Sequence, residues 1–186
     1  NWGFNSMLDF PLHTDIKRVF KEGKPTSYIK YRLEQREIMY SNPARMVTFV
    51  DNHDMDRFLK ASDINSLKQA LSLIFTIPGI PTIYYGTEQN FIETRATMFA
   101  NGFASGGQDH YDINTPTFQF IKELSELRKN TPTFKHGKIE VLFSDDLGPG
   151  PLVYKIFDDS KMYIVMMNTS SNKKHATGMD FNIEDG

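Results

Sequence analysis

Four consecutive polar residues in the first third of the chain carry side chains that can do chemistry: Asp51, Asn52, His53 and Asp54. They directly follow the apolar and strand-favouring residues 46–50, with no Gly or Pro between. Carboxylates, an imidazole and an amide that leave one strand end suit a substrate rich in hydroxyl groups, because together they supply hydrogen-bond donors and acceptors. The alternative interpretation is a solvated turn that also caps the next helix.

The residues before this polar group predict a buried strand. Residues 46–50 are apolar, aromatic or β-branched without alternation, which is typical of a strand covered on both faces in a parallel sheet. In parallel α/β folds, functional sites lie at the carboxyl ends of the strands. We therefore expect the polar group to lie at such an edge.

The chain before residue 131 alternates between predicted strands and helices. Strands are expected near residues 7, 46 and 82, the last one buried over 82–85. Helices are predicted from Thr14 to Gly23, from Thr26 to Tyr40, after Asp63 or Asn65, and from Thr115 to Asn130. Helical spacing of apolar residues predicts the buried faces of the last two helices: Leu67, Ala70, Leu71 and Ile74, then Phe118, Ile121, Leu124 and Leu127. This alternation is typical of βαβ units and a parallel sheet.

The pattern changes after residue 137. Three short strands are predicted at 139–143, 152–157 and 163–168, with turns rich in Asp, Gly and Ser between them. Such a run predicts an antiparallel all-β segment. We therefore place a domain boundary near residues 131–137, which divides the chain into 1–134 and 135–186.

A long polar segment, residues 90–114, separates the strand near residue 82 from the helix that starts at Thr115. It contains three glycines and no apolar periodicity, so it is predicted to be a loop. Loops of this length within a domain are usually functional or disordered.

The overall composition is that of an ordinary globular protein, with 186 residues, 24% of them charged, and a net charge of −2. No basic stripe is present, which argues against a nucleic-acid partner. The longest apolar stretch, residues 71–85, is broken by Pro and Gly, which argues against a membrane span. The absence of cysteine excludes disulfides and leaves the compartment open. Because the first residue is Asn1 and no targeting segment precedes it, we expect a piece of a longer protein.

Two motifs at strand ends resemble conserved regions of the α-amylase family of glycoside hydrolases. Residues 49–54, Phe-Val-Asp-Asn-His-Asp, are similar to the family's fourth conserved region. Residues 79–89, Gly-Ile-Pro-Thr-Ile-Tyr-Tyr-Gly-Thr-Glu-Gln, resemble its eighth barrel strand and the following turn. Segments 55–58 and 86–89 are most similar to cyclodextrin glycosyltransferases and related bacterial α-amylases, and segment 124–132 is similar to that group's last barrel helix.

The resemblance implies an architecture larger than this chain. It predicts the C-terminal part of a (β/α)8 TIM barrel, about three βα units, followed by part of a small antiparallel β-sandwich domain; a complete barrel needs about 250 residues. The family's nucleophilic aspartate and acid glutamate lie on the fourth and fifth strands, and no Gly-x-Arg-x-Asp motif occurs here. The chain alone is therefore expected to be inactive. Its incomplete barrel is also expected to self-associate through open strand edges.

The implied activity is retaining cleavage or transfer at α-1,4-glucosidic bonds of starch or maltooligosaccharides. Asp54 matches the family's third catalytic carboxylate, which holds sugar hydroxyls, and His53 matches the neighbour that hydrogen-bonds the same sugar. Asn52 and Arg95 are implied to bind substrate, although Phe91 stands where an acidic partner of Arg95 usually lies. A solvated surface arginine is the alternative for Arg95. No metal site or cofactor is expected in this fragment, and calcium is a candidate for the longer protein.

Two other functions remain open. A non-catalytic relative of the family would keep the barrel for carbohydrate binding or assembly, and the sequence upstream of Asn1 would distinguish it. A metal-binding dyad of His53 and Asp54, as in a phosphohydrolase, would need further His and Asp ligands on helices. The remaining histidines lie in predicted loops or in the β segment, which disfavours that function.

Overall fold

The computed structural model describes residues 5–178. Its helices are α1 (Phe10–Ile16), α2 (Ser27–Met39), α3 (Ile64–Thr76), α4 (Pro116–Asn130) and α5 (Thr133–His136), and a π-helical turn (Lys17–Lys21) extends α1. Its strands are β1 (Val47–Thr48), β2 (Ile80–Pro81), β3 (Lys138–Ser144), β4 (Pro151–Phe157) and β5 (Met162–Asn168). Within this range, no helix is long and apolar enough to cross a membrane.

Three parallel segments form the part of the sheet that precedes residue 131. β1 pairs with β2 in parallel, Val47 opposite Ile80, and Leu8 forms a parallel bridge to Val47 on the other side. The three predicted strand regions therefore lie side by side and run in the same direction, with β1 in the middle.

The predicted strand at 82–85 is wrong in position and in burial. β2 lies two residues earlier, and the parallel ladder ends where the Thr82 N–H donates to the Thr48 carbonyl at 2.8 Å. Because β1 ends at Thr48, the chain beyond Thr82 has no backbone partner there and turns. Tyr85 is consequently 41% exposed rather than part of a core.

The first helix begins earlier than Thr14, which was the predicted cap. Asp9 is the N-cap instead, because its carboxylate accepts a hydrogen bond from the Leu12 N–H at 3.1 Å. The Asp9 carboxylate also accepts from Arg36 Nε at 2.8 Å, and both side chains are fully buried. Pro11 lies in the first turn, where its missing N–H costs nothing.

The central helices follow the predicted pattern closely. α3 is capped by Asp63, which accepts from the Ser66 N–H at 2.9 Å. Its predicted inward residues are all inaccessible to solvent: Leu67, Ala70, Leu71 and Ile74. On α2, Ile29 and Leu33 are likewise buried. These side chains belong to one continuous hydrophobic core.

The start of α4 is as predicted, but its buried face differs at one position. Thr115 accepts from the Phe118 N–H at 3.1 Å, and Pro116 is the first helical residue. Leu124 is buried, whereas Leu127 is 47% exposed, so its predicted inward position is wrong. The next residue, Arg128, is buried instead and occupies the inner side of the last turn.

The antiparallel segment after residue 137 is confirmed. β3, β4 and β5 form a three-stranded sheet in that order, with β4 in the centre and buried along most of its length. The Tyr154 hydroxyl on β4 lies 2.7 Å from the Thr76 hydroxyl at the end of α3. The second sheet of a sandwich and the boundary between 1–134 and 135–186 stay predictions.

Candidate functional site

Two loops meet at the carboxyl ends of β1 and β2. The polar residues 51–54 follow β1, and the turn over 84–89 follows β2. Because the two strands are parallel, both loops leave the same edge of the sheet. Residues 51–54 thus lie at the carboxyl edge of the parallel strands, as predicted from the sequence.

Asp51 joins these two loops from a buried position. It is 3% exposed, and its carboxylate accepts hydrogen bonds from the Phe58 N–H at 3.0 Å and from the Thr87 hydroxyl at 2.9 Å. Burial raises the pKa of the Asp51 carboxyl, and these two hydrogen bonds oppose that change. Asp51 therefore supports the site and does not contact solvent.

A tight turn then exposes the next residues. The Asn52 side-chain oxygen accepts from the Asp54 N–H at 2.8 Å, which is the pattern of an Asx turn. This bond orients the backbone so that His53 and Asp54 project outward, with side chains 63% and 64% exposed. Asn52 thus shapes the turn, and its predicted contact with substrate stays a prediction.

His53, Asp54 and Arg95 come together although Arg95 lies on the other loop. Nε2 of His53 lies 3.2 Å from one oxygen of the Asp54 carboxylate, and Arg95 donates to the other oxygen at 3.2 Å. Arg95 Nε also donates to the His53 carbonyl at 2.9 Å. Asp54 is the acidic partner of Arg95. The Arg95 guanidinium is therefore paired, although Phe91 stands where the acidic partner is expected.

The backbone of Arg95 is constrained at this point. Its φ is +60°, in the left-handed region that few non-glycine residues adopt. Such conformations persist where the surrounding structure supports them, and the side chain of the same residue is held by its hydrogen bonds to residues 53 and 54. The side chains of this group open onto a cavity of about 330 Å³, which is lined by His53, Asp54, Met55, Asp56, Thr94 and Arg95.

Arg57 is a supporting residue whose role is not predicted from the sequence. It is fully buried, donates to the Tyr85 carbonyl at 2.7 Å and to the Glu93 carbonyl at 3.4 Å, and lies 4.0 Å from Asp51. Its guanidinium also lies 4.0 Å from the ring centroid of Tyr84. Arg57 thereby fixes the β2–α4 loop against the end of β1. A charged residue seven positions after the predicted strand 46–50 gives no signal of this role.

Tyr84 lies between the buried support and the open cavity. Its ring centroid is 6.3 Å from that of His53, and its ring covers the Arg57 guanidinium. Burial, followed by the hydrogen bond with Tyr85, raises the pKa of Tyr84 to about 12. The hydroxyl is therefore protonated at neutral pH.

A metal ion would need several ligands at one place. Within residues 5–178, no three His, Asp or Glu side chains lie close enough together to hold one. His13 stacks on Phe49 at 5.1 Å and His110 contacts Phe91 at 4.9 Å, so both have aromatic rather than metal-binding surroundings. The arrangement of His53, Asp54 and Arg95 is suited to accepting and donating hydrogen bonds to hydroxyl groups.

Comparison with known proteins places this geometry in a family context. The model of the alpha amylase catalytic domain matches residues 4–110. A cyclomaltodextrin glucanotransferase of Bacillus sp. (strain 38-2) is 32% identical over 178 residues, which is 90% of this chain and 23% of the relative. An alpha-amylase of Niallia circulans is 35% identical over 136 residues, 71% of this chain and 24% of the relative. The chain thus spans about a quarter of the length of the curated relatives it matches.

Solved structures agree with these sequence matches. CldA, a cyclomaltodextrin glucanotransferase with a three-domain ABC distribution, is 35% identical with a TM-score of 0.73, covering 87% of this chain and 32% of its own. The Gamma-CGTASE of alkalophilic Bacillus clarkii is 25% identical with a TM-score of 0.77, covering 94% of this chain and 25% of its own.

Proposed function

The chain belongs to the α-amylase family, and from this we propose that it forms part of a retaining glycoside hydrolase or transglycosylase acting on α-1,4-glucans such as starch and maltooligosaccharides. The observation that supports the proposal is the Asp54 carboxylate at the carboxyl edge of two parallel strands, open to solvent and flanked by His53 and Arg95.

The proposed role of Asp54 is to bind sugar hydroxyls. A carboxylate has about four acceptor positions, and the contacts with His53 and Arg95 leave the exposed carboxylate room to accept from a ligand. Hydrogen bonds that strengthen as the sugar ring flattens stabilise the positively charged transition state. His53 contributes a further contact to the same sugar through a nitrogen of its imidazole ring. Nucleophilic attack and protonation of the leaving oxygen require two carboxyl groups supplied by other parts of a longer protein.

The test is Asp54→Asn in the full-length protein that carries this chain. We expect kcat on maltoheptaose to fall by about 100-fold or more, with KM changed much less, because a contact made mainly in the transition state is weakened. An unchanged kcat would remove Asp54 from the mechanism. A wild-type protein that binds maltoheptaose without turning it over would instead indicate the non-catalytic relative. Calcium dependence is tested in the same assay by adding a chelator.

A further inference from the structure

The long polar segment 90–114 forms an ordered loop between β2 and α4. The Thr97 N–H donates to the Phe103 carbonyl at 2.9 Å, and the Gln89 side-chain nitrogen donates to the Asp112 carbonyl at 3.0 Å. A loop of this length is usually either functional or disordered. Its internal hydrogen bonds favour a function, and its first residues lie next to the candidate site.

The backbone that carries Arg95 is fixed against the loop after β1 by other residues. The Glu93 carbonyl accepts a hydrogen bond from Nε of the buried Arg57 at 3.4 Å. The Thr94 hydroxyl donates to the Met55 carbonyl at 3.3 Å. Because these contacts do not use the Arg95 side chain, a change of that side chain leaves both anchors in place.

The Arg95 guanidinium joins two acceptors on the loop after β1. Nε donates to the His53 carbonyl at 2.9 Å, and a terminal nitrogen donates to one oxygen of the Asp54 carboxylate at 3.2 Å. The other Asp54 oxygen lies 3.2 Å from Nε2 of His53. Because each oxygen has its own partner, the plane of the carboxylate is fixed. A planar arginine fork suits two such acceptors, whereas a lysine ammonium is a point charge on a flexible stem.

This contact is poorly placed to stabilise the fold. The side chains of Arg95 and Asp54 are 63% and 64% exposed, and exposed ion pairs contribute little to folding. The Arg95 backbone has a φ of +60°, and unfavourable backbone conformations of this kind cluster at functional sites. An unfavourable backbone conformation that supports an exposed ion pair indicates a role in orientation rather than in stability.

The contacts of Arg95 also bear on its predicted binding of substrate. Within residues 5–178, both hydrogen bonds of its side chain go to His53 and Asp54. The guanidinium therefore lies at the carboxylate that is proposed to bind the reacting sugar. A group at this place acts on the sugar through Asp54.

We propose that Arg95 is a positioning residue, which holds the Asp54 carboxylate and the His53 backbone in the orientation that the reacting sugar requires. This inference rests on the proposed function of Asp54. A misplaced Asp54 loses hydrogen bonds that are made mainly in the transition state, so Arg95 affects turnover more than binding. The effect does not depend on the length of the glucan, because the reacting sugar is common to all substrates.

The experiment compares wild type with Arg95→Met and Arg95→Lys in the full-length protein, on maltotriose and on maltoheptaose. For Arg95→Met we expect kcat to fall about tenfold on both substrates, with KM changed less than about twofold. Arg95→Lys keeps the charge but not the fork, and it is expected to lose as much. The urea midpoint of both variants is expected to equal that of wild type, because the ion pair is exposed.

A double variant separates positioning from direct contact with the sugar. If Arg95 acts through Asp54, adding Arg95→Met to Asp54→Asn should lower kcat further by less than about twofold. Lys60→Met is the control for the loss of a positive charge. Lys60 is 52% exposed and pairs with Asp56, so the control is expected to change neither kcat nor KM.

Four results overturn the inference. A higher KM on maltoheptaose alone would show that Arg95 binds an outer sugar directly, and independent losses in the double variant would show that it acts without Asp54. Wild-type kcat in Arg95→Lys would show that charge alone suffices, and a lowered urea midpoint would indicate a structural role. Wild-type kcat in Asp54→Asn contradicts the proposed function itself, so the two failures are separate.

Discussion

Asp51 and Asp54 are three residues apart in one motif and have opposite environments. Asp51 is 3% exposed and accepts two hydrogen bonds from the protein, whereas the Asp54 side chain is 64% exposed. The two carboxylates thus differ in role: that of Asp51 holds the two loops together, whereas that of Asp54 is accessible to a ligand. The proposed role of Asp54 therefore depends on support from Asp51.

Asp51→Ala should therefore reduce stability more than any change among its exposed neighbours. The substitution leaves the Phe58 N–H and the Thr87 hydroxyl without partners, and we expect the free energy of unfolding to fall by about 2 kcal/mol or more. Urea denaturation measures this change. Asp56→Ala removes a solvent-exposed carboxylate from the same turn and is the matched control, expected to leave the midpoint unchanged. Equal effects of the two variants would contradict the supporting role of Asp51.

The sequence predicted which residues come together at this edge of the sheet better than how they are held. His53 and Asp54 were found from the strand-end pattern and the family motif, and Arg95 from the resemblance. The supporting role of Arg57 was missed, because its partners are backbone carbonyls at positions 85 and 93 that any residue type would present. Contacts to the backbone leave no trace in residue identity, which is why side-chain motifs do not reveal them.

At the scale of elements, a buried arginine at the end of α4 holds this helix to its neighbours through backbone carbonyls. Arg128 at the end of α4 is 7% exposed and donates to four backbone carbonyls: those of Phe75, Ile77, Gly79 and Phe134. Burial lowers its pKa to about 10, so it stays charged at neutral pH. One side chain thus joins the end of α3, the start of β2 and α5 to α4.

Arg128→Met tests this junction. The apolar side chain fills much of the space but leaves four carbonyls unpaired, so we expect the free energy of unfolding to fall by about 3 kcal/mol or more. Chemical denaturation followed by circular dichroism gives the value. Lys129→Met, at the exposed neighbouring position, controls for the loss of a positive charge on the same helix. A similar loss in both variants would mean that the carbonyl contacts of Arg128 contribute little.

The β4–β5 turn depends on the charge of Asp158. Its carboxylate accepts from the Thr133 hydroxyl at 2.6 Å and from the N–H groups of Ser160 and Lys161, each at 2.9 Å. These hydrogen bonds, that of Thr133 foremost, hold the pKa of Asp158 well below its ordinary value of 3.8. Between the two pKa values the unfolded chain binds more protons, so stability rises with pH.

We therefore predict that Asp158→Asn is less stable than wild type above pH 3.8, and that the difference shrinks as the pH falls through the lowered pKa. Thermal melting of both proteins across the acid range measures it. Asp159→Asn, the exposed neighbour, is the control and should track wild type at every pH. A difference that does not depend on pH would show that the charge of Asp158 is not what stabilises the turn.

Element prediction succeeded where the signal is local. The caps Asp63 and Thr115, and the strand and turn residues of β3–β5, lie within a few residues of what they determine. β1 and β2 are only two residues long each. A strand extends only as far as the strand it pairs with, and the paired strands lie far apart in the sequence, so local residues do not predict where each one ends. Residues 82–85 look like a strand by composition, and nothing in that composition reports where β1 ends.

At the scale of the whole molecule, one hydrophobic core continues past the predicted boundary at 131–137. Leu152, Tyr154 and Ile156 on β4 belong to the same buried cluster as the residues of α1 and α3. The secondary structure thus changes at residues 131–137 while the buried cluster continues, and the domain boundary itself stays a prediction. Removing residues after 135 is thus expected to expose part of α3.

The parallel strands differ from this core, because within residues 5–178 apolar side chains stay exposed on both sides of β1. Leu8 is 51% and Ile80 45% exposed, and they lie on the two sides of β1. An open strand edge with exposed apolar side chains favours pairing with another chain. We therefore propose that the isolated 186-residue chain self-associates, that it lacks two of the catalytic carboxyl groups, and that it does not turn over starch.

Leu8→Lys tests whether that association uses the strand edge. A charge at the edge opposes pairing with a second chain, so light scattering after size-exclusion chromatography should show a smaller average mass than for wild type at equal concentration. Ile38→Lys, on the surface of α2, places the same charge at a residue that is 76% exposed and away from the strands, and it should associate as wild type does. If both variants lower the mass equally, net charge rather than the edge controls association. A monomeric wild-type chain at all concentrations would contradict self-association, and turnover of maltoheptaose by that chain would contradict the predicted inactivity.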